Sequence, residues 1–280
     1  MNTKMPPDLL AIGHVTKDLI EDGHVVGGSA TFAALTAQAL GLSAAVVTSC
    51  ADDVDPASAM PGIPLHIVPS PETTTFINAY QEGRRRQYLR GVGGKIRGED
   101  IPVAWRDAPM VVLGPLTQEL DESIVDSLTW GAVVASIQGW LRRWDESGAV
   151  SRTSWAGSTL LPQVSAAVFS DDDSPTDTEI AGWTEHCSVL VHTHGGDGCR
   201  VHTEGAWSHV PAFPANEVDP TGAGDVFATA FLIRFRESND PLDAAVYASC
   251  AASFCVEAVG VEGIPTREQI EARLRQSRNS

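Results

Sequence analysis

The sequence predicts an α/β fold built on a mainly parallel β-sheet, with a smaller β-sheet beside it. Three observations lead to this prediction. Near the start of the chain, two short apolar runs typical of buried strands, at 9–14 and 44–48, flank a helical segment. Two β-rich runs further along form a hairpin, and a glycine turn at 219–225 opens directly into a helix. We expect one large domain over 1–280 with a β appendage.

The composition is that of a globular protein with an acidic surface. Of the 280 residues, 43% are hydrophobic and 20% are charged, and the formal net charge is −17. This charge argues against nucleic acid and against an anionic membrane surface as partners. It does not exclude a nucleotide, because a local anion site can act against the overall sign of the charge.

The five cysteines are odd in number, and no two have Cys-x-x-Cys spacing. Cys50, Cys250 and Cys255 lie in apolar stretches, where a free cysteine acts as a small hydrophobic residue. The N-terminal apolar run is too short and too soon interrupted for a signal peptide. Reduced thiols are the simplest interpretation, and they predict a cytoplasmic protein.

The first strand, Leu9 to His14, is followed by Asp18. In an open parallel sheet the ligand crevice lies beyond the carboxyl ends of the strands, so Asp18 is a candidate for binding a ligand. The alternative is that Asp18 only stabilises a turn. Gly27-Gly28 then opens a helix, Ala33 to Leu40, before the strand Ala44 to Thr48.

The middle of the chain supplies the hairpin and two more strands. Residues 51–72 are rich in proline, aspartate and small residues. The hairpin pairs Thr73 to Tyr80 with Arg86 to Arg90, and its turn includes Glu82 and Gly83. The strands 110–113 and 132–135 flank a predicted helix, 119–128. The segment 136–142 follows, and in it Gln138 either hydrogen-bonds a substrate or only holds the loop.

Two strands in the second half, 164–169 and 188–192, each end in a polar loop. The first loop is Ser170-Asp171-Asp172-Asp173, where the Asp173 carboxylate can hold a magnesium-bound water. The alternative is that these acids cap the helix Thr178 to Cys187.

The second loop contains Thr193, Gly195 and Gly198, and its glycines allow the backbone to come close to a ligand. His192 and His194 have the spacing of a metal pair. No cysteine or further histidine stands close in sequence, so we do not predict a metal site there.

The most specific pattern is Asp219-Pro220-Thr221-Gly222-Ala223-Gly224-Asp225 with a helix behind it. The glycines let the backbone approach a ligand, and the first helical amides form an anion site. Asp225 falls in the first helical turn, beside that site, where it can accept a proton from an attacking hydroxyl. The alternative is an ordinary glycine turn and a capped helix. Helices 226–236 and 242–259 follow, and Thr266 begins a last one with a capping box.

This heptad, the Gly27-Gly28 pair and the Thr193-x-Gly195-x-x-Gly198 loop together resemble the ribokinase-like (PfkB) carbohydrate kinases, over most of the chain. The helix start that ends in Phe32 and the Ile137-Gln138 segment with Arg142 are similar to plant-type myo-inositol kinases. Many family members carry an acid at the place of Ser136 and an asparagine at the place of Ser170.

The resemblance implies a three-layer α/β/α domain with a mainly parallel sheet and a small β lid, formed by about 14–27 and 73–92. It implies transfer of the ATP γ-phosphate to a hydroxyl of a cyclitol or sugar, with Mg²⁺ and a further expectation of K⁺ activation. The catalytic residues implied are Asp225 as base and the amides of Gly222, Ala223 and Gly224. The substrate-binding residues implied are Asp18, Gly27, Gly28, Gln138 and Arg142. The nucleotide-binding residues implied are Thr193, Gly195, Gly198, Ser170 and Thr221. Asp173 would bind Mg²⁺ through water, and Asp219 would adjoin a monovalent cation.

Myo-inositol is the favoured substrate. The alternatives are a fructose, other sugar or nucleoside kinase of the same family, or a polyol- or nucleotide-binding regulatory protein of impaired catalysis. The altered residues Ser136 and Ser170 motivate the last of these. We expect a small-molecule partner and a monomer or homodimer.

Overall fold

The fold is seen in a computed structural model that describes residues 5–81, 84–129 and 131–278. The predicted hairpin turn at Glu82-Gly83 lies outside these residues. The described strands are β1 Leu9–Ile12, β2 Thr16–Ile20, β3 Gly23–Gly27, β4 Ala44–Cys50, β5 Leu65–Pro69, β6 Thr75–Gln81, β7 Arg84–Gly91, β8 Met110–Leu113, β9 Ala132–Ser136, β10 Arg142–Trp144, β11 Val150–Arg152, β12 Ala166–Ser170, β13 Val189–Thr193, β14 Cys199–Thr203 and β15 Ala206–Val210. The α-helices are α1 Ser29–Ala39, α2 Pro56–Ala59, α3 Asp177–His186, α4 Ala223–Ser238, α5 Pro241–Cys255 and α6 Arg267–Ser277.

Nine strands form the main sheet, in the order β15-β14-β13-β12-β9-β8-β1-β4-β5. The neighbours from β13 to β5 pair in parallel, and β14 and β15 continue the sheet antiparallel. Strand β1 pairs with β4 on one side and β8 on the other, and all four of its residues are buried. A strand buried on both faces is the expected result of helices or loops covering both sides of a parallel sheet.

The two faces of the sheet carry separate hydrophobic cores, as the alternation of side chains along a strand requires. Leu9 and Ala11 face a core that includes α1, α4 and α5. Leu10 and Ile12 face a second core that includes Trp105, Trp140 and Trp183, with coverage from α3 and from short 3₁₀ turns. The architecture therefore has three layers, as predicted, although regular helices cover one face far more completely.

A separate four-stranded sheet has the order β3-β2-β6-β7. It comes from the two segments that were assigned to a lid, 14–27 and 73–92. Strands β2 and β6 pair in parallel, and β3 and β7 flank them antiparallel. The hairpin and the excursion after β1 therefore meet in one sheet; its function as a lid stays a prediction.

Several element boundaries differ from the predicted ones. The predicted helix 119–128 is instead a 3₁₀ helix, Glu122–Ser127, capped by Asp121, whose carboxylate accepts from the Ser123 N–H. Residues 51–72 contain an unpredicted edge strand, β5, and a short helix, α2. Strand β5 is only partly buried and ends in proline, so its sequence lacks the continuous apolar run that predicts a buried strand. Helix α5 ends at Cys255, earlier than predicted.

Glu119 is fully buried beside His14 where β1 ends; the two side chains are 1% and 0% exposed. The carboxylate accepts hydrogen bonds from the N–H groups of His14 (3.1 Å), Leu116 (2.9 Å) and Thr117 (2.7 Å). The His14 ring bonds Gly94 O at 2.7 Å through Nε2 and Thr74 Oγ1 at 2.7 Å through Nδ1. Burial would raise the pKa of Glu119, but His14 and the backbone donors outweigh it and lower that pKa.

Candidate active site

The predicted glycine turn and helix are present, and α4 begins at Ala223 after Gly222. Gly222 has φ of 81°, and a Cβ there would lie 2.1 Å from Phe32 Cε1, so the position requires glycine. A Cβ on Gly224 would meet nothing within 4 Å, which leaves its backbone open to a ligand. The Ala223 N–H donates to Pro220 O at 3.2 Å. The anion site predicted from three amides therefore rests mainly on those of Gly222 and Gly224.

These amides open onto a cleft of about 780 Å³. Asp225 lines the cleft from the first turn of α4. The other predicted site residues that line it are Asp18, Gly28, Gln138, Arg142, Ser170, Asp173, Thr193, Gly195, Gly198, Thr221, Gly222, Ala223 and Gly224. Gly27 and Asp219 do not line it. Residues from distant parts of the sequence thus meet in one site, where the carboxyl ends of the parallel strands place a crevice.

Asp18 lies at the small-sheet end of the cleft, on β2. A Cβ on Gly27 would lie 2.6 Å from Asp18 Oδ2, and a Cβ on Gly28 would lie 2.3 Å from His14 O. The glycine pair therefore allows the start of α1 to pack against the β1–β2 turn without displacing the Asp18 carboxylate. Gly27 makes room for Asp18 and does not itself line the cleft, and its role in binding a substrate stays a prediction.

Gln138 lies in the 3₁₀ segment that follows β9. Arg142 lies at the end of this segment and begins β10. Arg142 Nη2 donates to Gln87 Oε1 at 2.8 Å, and its carbonyl accepts from Gln118 Nε2 at 2.5 Å. Arg142 therefore connects the main domain to the small sheet. Gln138 is half-buried in the cleft wall. Its side chain makes no hydrogen bond to the described residues, so no contact there supports the alternative that it only holds the loop.

The loop after β13 forms the other end of the cleft. The His194 N–H donates to Gly198 O at 2.7 Å, and Thr193 Oγ1 donates to Phe169 O at 3.2 Å. Gly198 has φ of 93°, and a Cβ there would lie 2.2 Å from Val210 O, so this glycine is required for packing. Gly195 has φ of 53° and nothing within 4 Å of its Cβ position, so its backbone is open to a ligand.

Ser170 and Asp173 contact one another beside this loop. The Ser170 N–H and hydroxyl donate to Asp173 Oδ2 at 2.8 and 3.0 Å. Helix α3 is capped by Thr176, which forms a capping box with Glu179. The alternative that the acids at 171–173 cap α3 is therefore wrong, and Asp173, 8% exposed, closes its own short turn.

Comparison with known proteins gives a consistent result. Residues 165–267 match the family described as pfkB family carbohydrate kinase. Inositol 3-kinase of Zea mays is 34% identical over 132 residues, which are 46% of this chain and 34% of that protein. Inositol 3-kinase of Arabidopsis thaliana is 29% identical over 272 residues, 90% of this chain and 74% of that protein.

The fold also matches a solved structure, a pyrophosphate-dependent kinase in the ribokinase family complexed with a pyrophosphate analog and myo-inositol. The TM-score is 0.78 at 22% identity, over 94% of this chain and 99% of that one. Over residues 165–267 the chain is similar to the pfkB family of carbohydrate kinases, and its fold is that of the ribokinase-family structure. The match spans about a third of the maize relative and about three quarters of the Arabidopsis one.

The cleft is strongly acidic. Among the described residues that line it, the carboxylates are Asp18, Asp171, Asp172, Asp173, Glu217 and Asp225, and the one guanidinium is that of Arg142. A triphosphate would be repelled by this charge unless a cation accompanied it. Carboxylate oxygens suit Mg²⁺ as ligands. Asp172 and Asp173, in the loop after β12, are the residues that would hold this ion through water.

Asp219 has a structural role next to the anion site. Its Oδ1 accepts from the Thr221 N–H at 2.9 Å, and its Oδ2 accepts from the Gly260 N–H at 3.0 Å. These bonds fix the turn that precedes α4 and tie it to the segment after α5. Its predicted place beside a monovalent cation is not tested by these contacts.

Sequence reasoning missed three cleft residues on the small sheet, Thr16, Phe76 and Gln87. Gln87 also accepts from Arg142 and donates from Nε2 to Asn78 Oδ1 at 3.0 Å, its partner across the hairpin. A polar pair in a hairpin usually faces solvent. The position of Gln87 in the cleft therefore becomes visible only when the hairpin is docked on the main sheet. The paired positions of Asn78 and Gln87 were the available signal.

Proposed function

We propose that this protein transfers a phosphoryl group from ATP to a hydroxyl of a cyclitol or sugar, with myo-inositol as the favoured acceptor. The observation that carries the proposal is the anion site at the start of α4 with Asp225 beside it, in the same cleft as Asp18. The match of residues 165–267 to the pfkB family and the similarity to relatives named inositol 3-kinase support the same reaction.

The residues divide the chemistry between the two ends of the cleft. Asp18, Gln138 and Arg142 offer hydrogen bonds to a polyol, and Asp225 accepts the proton of the attacking hydroxyl. The Gly222 and Gly224 amides stabilise the charge that develops on the transferring phosphoryl group. Mg²⁺, when bound, neutralises the phosphate oxygens.

The choice of donor rests on the residues that line the cleft besides those of the anion site. Besides the start of α4, the cleft is lined by Gly195 and by Ser249, Ala252 and Ser253 on α5. Pyrophosphate would leave this part of the cleft unfilled, whereas a nucleoside extends into it. The Phe32 ring packed against Gly222 supports the acceptor choice, because the family's ribose and nucleoside kinases commonly have asparagine at that place.

A panel of donors and acceptors tests both choices. Phosphate transfer would be measured with ATP or pyrophosphate against myo-inositol, fructose, ribose and adenosine, at saturating Mg²⁺. We expect turnover with ATP and the highest kcat/KM for myo-inositol. Turnover with pyrophosphate alone would contradict the donor, and a preference for adenosine or ribose would contradict the acceptor. Binding of ATP and inositol without any transfer would instead support the regulatory alternative.

Replacing Asp18 by asparagine should raise KM for the polyol by about 10- to 100-fold and change kcat much less. Loss of a hydrogen bond to a charged group is worth about 1.5–3 kcal/mol. Initial rates against acceptor concentration would measure it. Asp22→Asn, in the exposed turn between β2 and β3, is the matched control and should leave KM unchanged. A normal KM in the Asp18 variant would remove this residue from the acceptor site.

Three further properties accompany this proposal as predictions. K⁺ activation is expected from the family and would appear as a faster rate in KCl than in NaCl. A cytoplasmic location fits the cysteines, all of which are free and buried. No helix among the described residues is long and apolar enough to cross a membrane. The protein is expected to act as a monomer or homodimer.

A further inference from the structure

Two adjacent parallel strands bring Asp171, His192 and His194 together at one end of the cleft. His192 lies near the end of β13 and His194 directly follows that strand, and their imidazole centroids are 4.0 Å apart. Ser170 of β12 is level with Thr193 of β13, which places Asp171 opposite the two histidines. The third potential ligand thus comes from a neighbouring strand.

The contacts within this cluster are short. His192 Nε2 lies 2.7 Å from Asp171 Oδ1, and His194 Nδ1 lies 2.8 Å from Asp171 Oδ2. One ligand atom from each residue lies within 4.8 Å of the other two. The imidazole centroids are 4.0 Å apart and the rings are inclined at 47°. Three potential ligand atoms therefore lie close enough together to share a single ion once Asp171 moves away from the imidazoles.

Two further features separate this cluster from a simple set of hydrogen bonds. Despite its short distance to Asp171, His192 Nε2 makes no well-directed hydrogen bond within the described chain. The histidine side chains are only 13% and 21% exposed, and Phe169 stacks on His192 with ring centroids 4.2 Å apart. The imidazoles are held in place, while Asp171, 61% exposed, has room to adjust.

We propose that Asp171, His192 and His194 bind one divalent transition metal ion, with Zn²⁺ as the best match. Two imidazole nitrogens and a carboxylate are a common zinc ligand set and suit Zn²⁺ better than Mg²⁺, which prefers oxygen. Ligands of a tetrahedral Zn²⁺ at about 2.0–2.1 Å lie about 3.3 Å from one another. A movement of Asp171 by about half an ångström would open its distances to the two imidazoles, now 2.7 and 2.8 Å, to that value.

The fourth position of this metal ion would face the cleft, because Asp171 and His194 both line it. Water or a phosphate oxygen could occupy that position. The metal would also tie the loop after β12 to the loop after β13, next to Gly195. The site is separate from the proposed Mg²⁺ position, and its existence does not depend on the kinase activity.

Zinc binding to the metal-free protein tests the proposal directly. Zn²⁺ would be titrated in competition with a chromophoric chelator, with excess Mg²⁺ present, and Co²⁺ would report the ligand geometry by its visible absorption. We expect one Zn²⁺ per chain. Asp171→Asn, His192→Gln and His194→Gln should each weaken it by at least about 100-fold, beyond the 10–100-fold typical of residues that only support a ligand. His66→Gln, on the exposed edge strand β5, is the matched control.

Thermal unfolding keeps the result interpretable if a variant is less stable. A ligand that binds only the folded chain raises its unfolding temperature, so Zn²⁺ should stabilise the wild type and His66→Gln but none of the three cluster variants. Failure of the wild type to bind Zn²⁺ more tightly than the cluster variants would overturn the proposal. Equal stabilisation of all the variants by Zn²⁺ would overturn it as well.

Discussion

Asp225→Asn is expected to lower kcat by at least about 10³-fold and to leave KM for both substrates within a few-fold. Asparagine preserves the shape of the side chain but cannot accept the proton of the attacking hydroxyl. General-base help is typically worth about 10²–10⁴-fold, and the position beside the anion site places this residue at the upper end. Coupled measurement of ATP consumption, with single-turnover experiments for the slow variant, would give the rate.

Asp177→Asn is the matched control for this experiment. Asp177 also lies in the first turn of a helix, α3, but is exposed and outside the cleft. It should reproduce the small loss of favourable helix-dipole interaction, about 0.3–1 kcal/mol, with no loss of rate. If the Asp225 variant phosphorylated the acceptor as fast as the wild type, Asp225 would not be the base. Retained thermal stabilisation by ATP would show that the variant still folds and binds.

Glu119→Gln is expected to lower the free energy of unfolding by about 2–4 kcal/mol. The carboxylate accepts the N–H groups of His14, Leu116 and Thr117, and a glutamine amide would present a donor to at least one of them. A buried donor left without a partner costs about 1–3 kcal/mol, and loss of the charge next to His14 adds to that. The midpoint of urea unfolding would measure the change.

The pH dependence of this difference has a definite sign. The folded pKa of Glu119 is lowered, so its contribution to stability is complete above the unfolded value of about 4.3 and is lost as the pH falls through the folded value. The difference in the free energy of unfolding between the wild type and Glu119→Gln should be constant near neutral pH and should shrink below about pH 4.3. The exposed Glu146→Gln should change stability by less than about 0.5 kcal/mol. A pH-independent gap would contradict the assignment.

The parts of the fold that sequence predicted well were those with a strong local pattern. The apolar strands β1, β4, β8 and β9, the capping box at Thr266 and the helix after Gly222 all depend on neighbouring residues. The heptad at 219–225 located the glycine turn and the start of α4 for the same reason. The edge strand β5 and the 3₁₀ turn that replaces a helix at 122–127 were missed, because their structure depends on tertiary contacts rather than on periodicity.

The candidate site shows the same limit at longer range. His192 and His194 were set aside because no further ligand stood close in sequence, yet Asp171 lies against both from the neighbouring strand. Parallel strands with adjacent carboxyl ends bring distant loops together, and a search by strand pairing would have found this cluster. The contact of Arg142 with Gln87 could not be predicted, because it requires the docking of the small sheet on the main domain.

The acidic lining of the cleft also determines which form of a nucleotide can enter. Free ATP, with no counter-ion on its phosphates, meets carboxylates at both ends of the site and one guanidinium. The magnesium complex carries less negative charge into the same space and gains the carboxylates as partners. Uncomplexed nucleotide should therefore be a poor competitor, and the reaction rate should follow the concentration of the complex rather than that of total ATP.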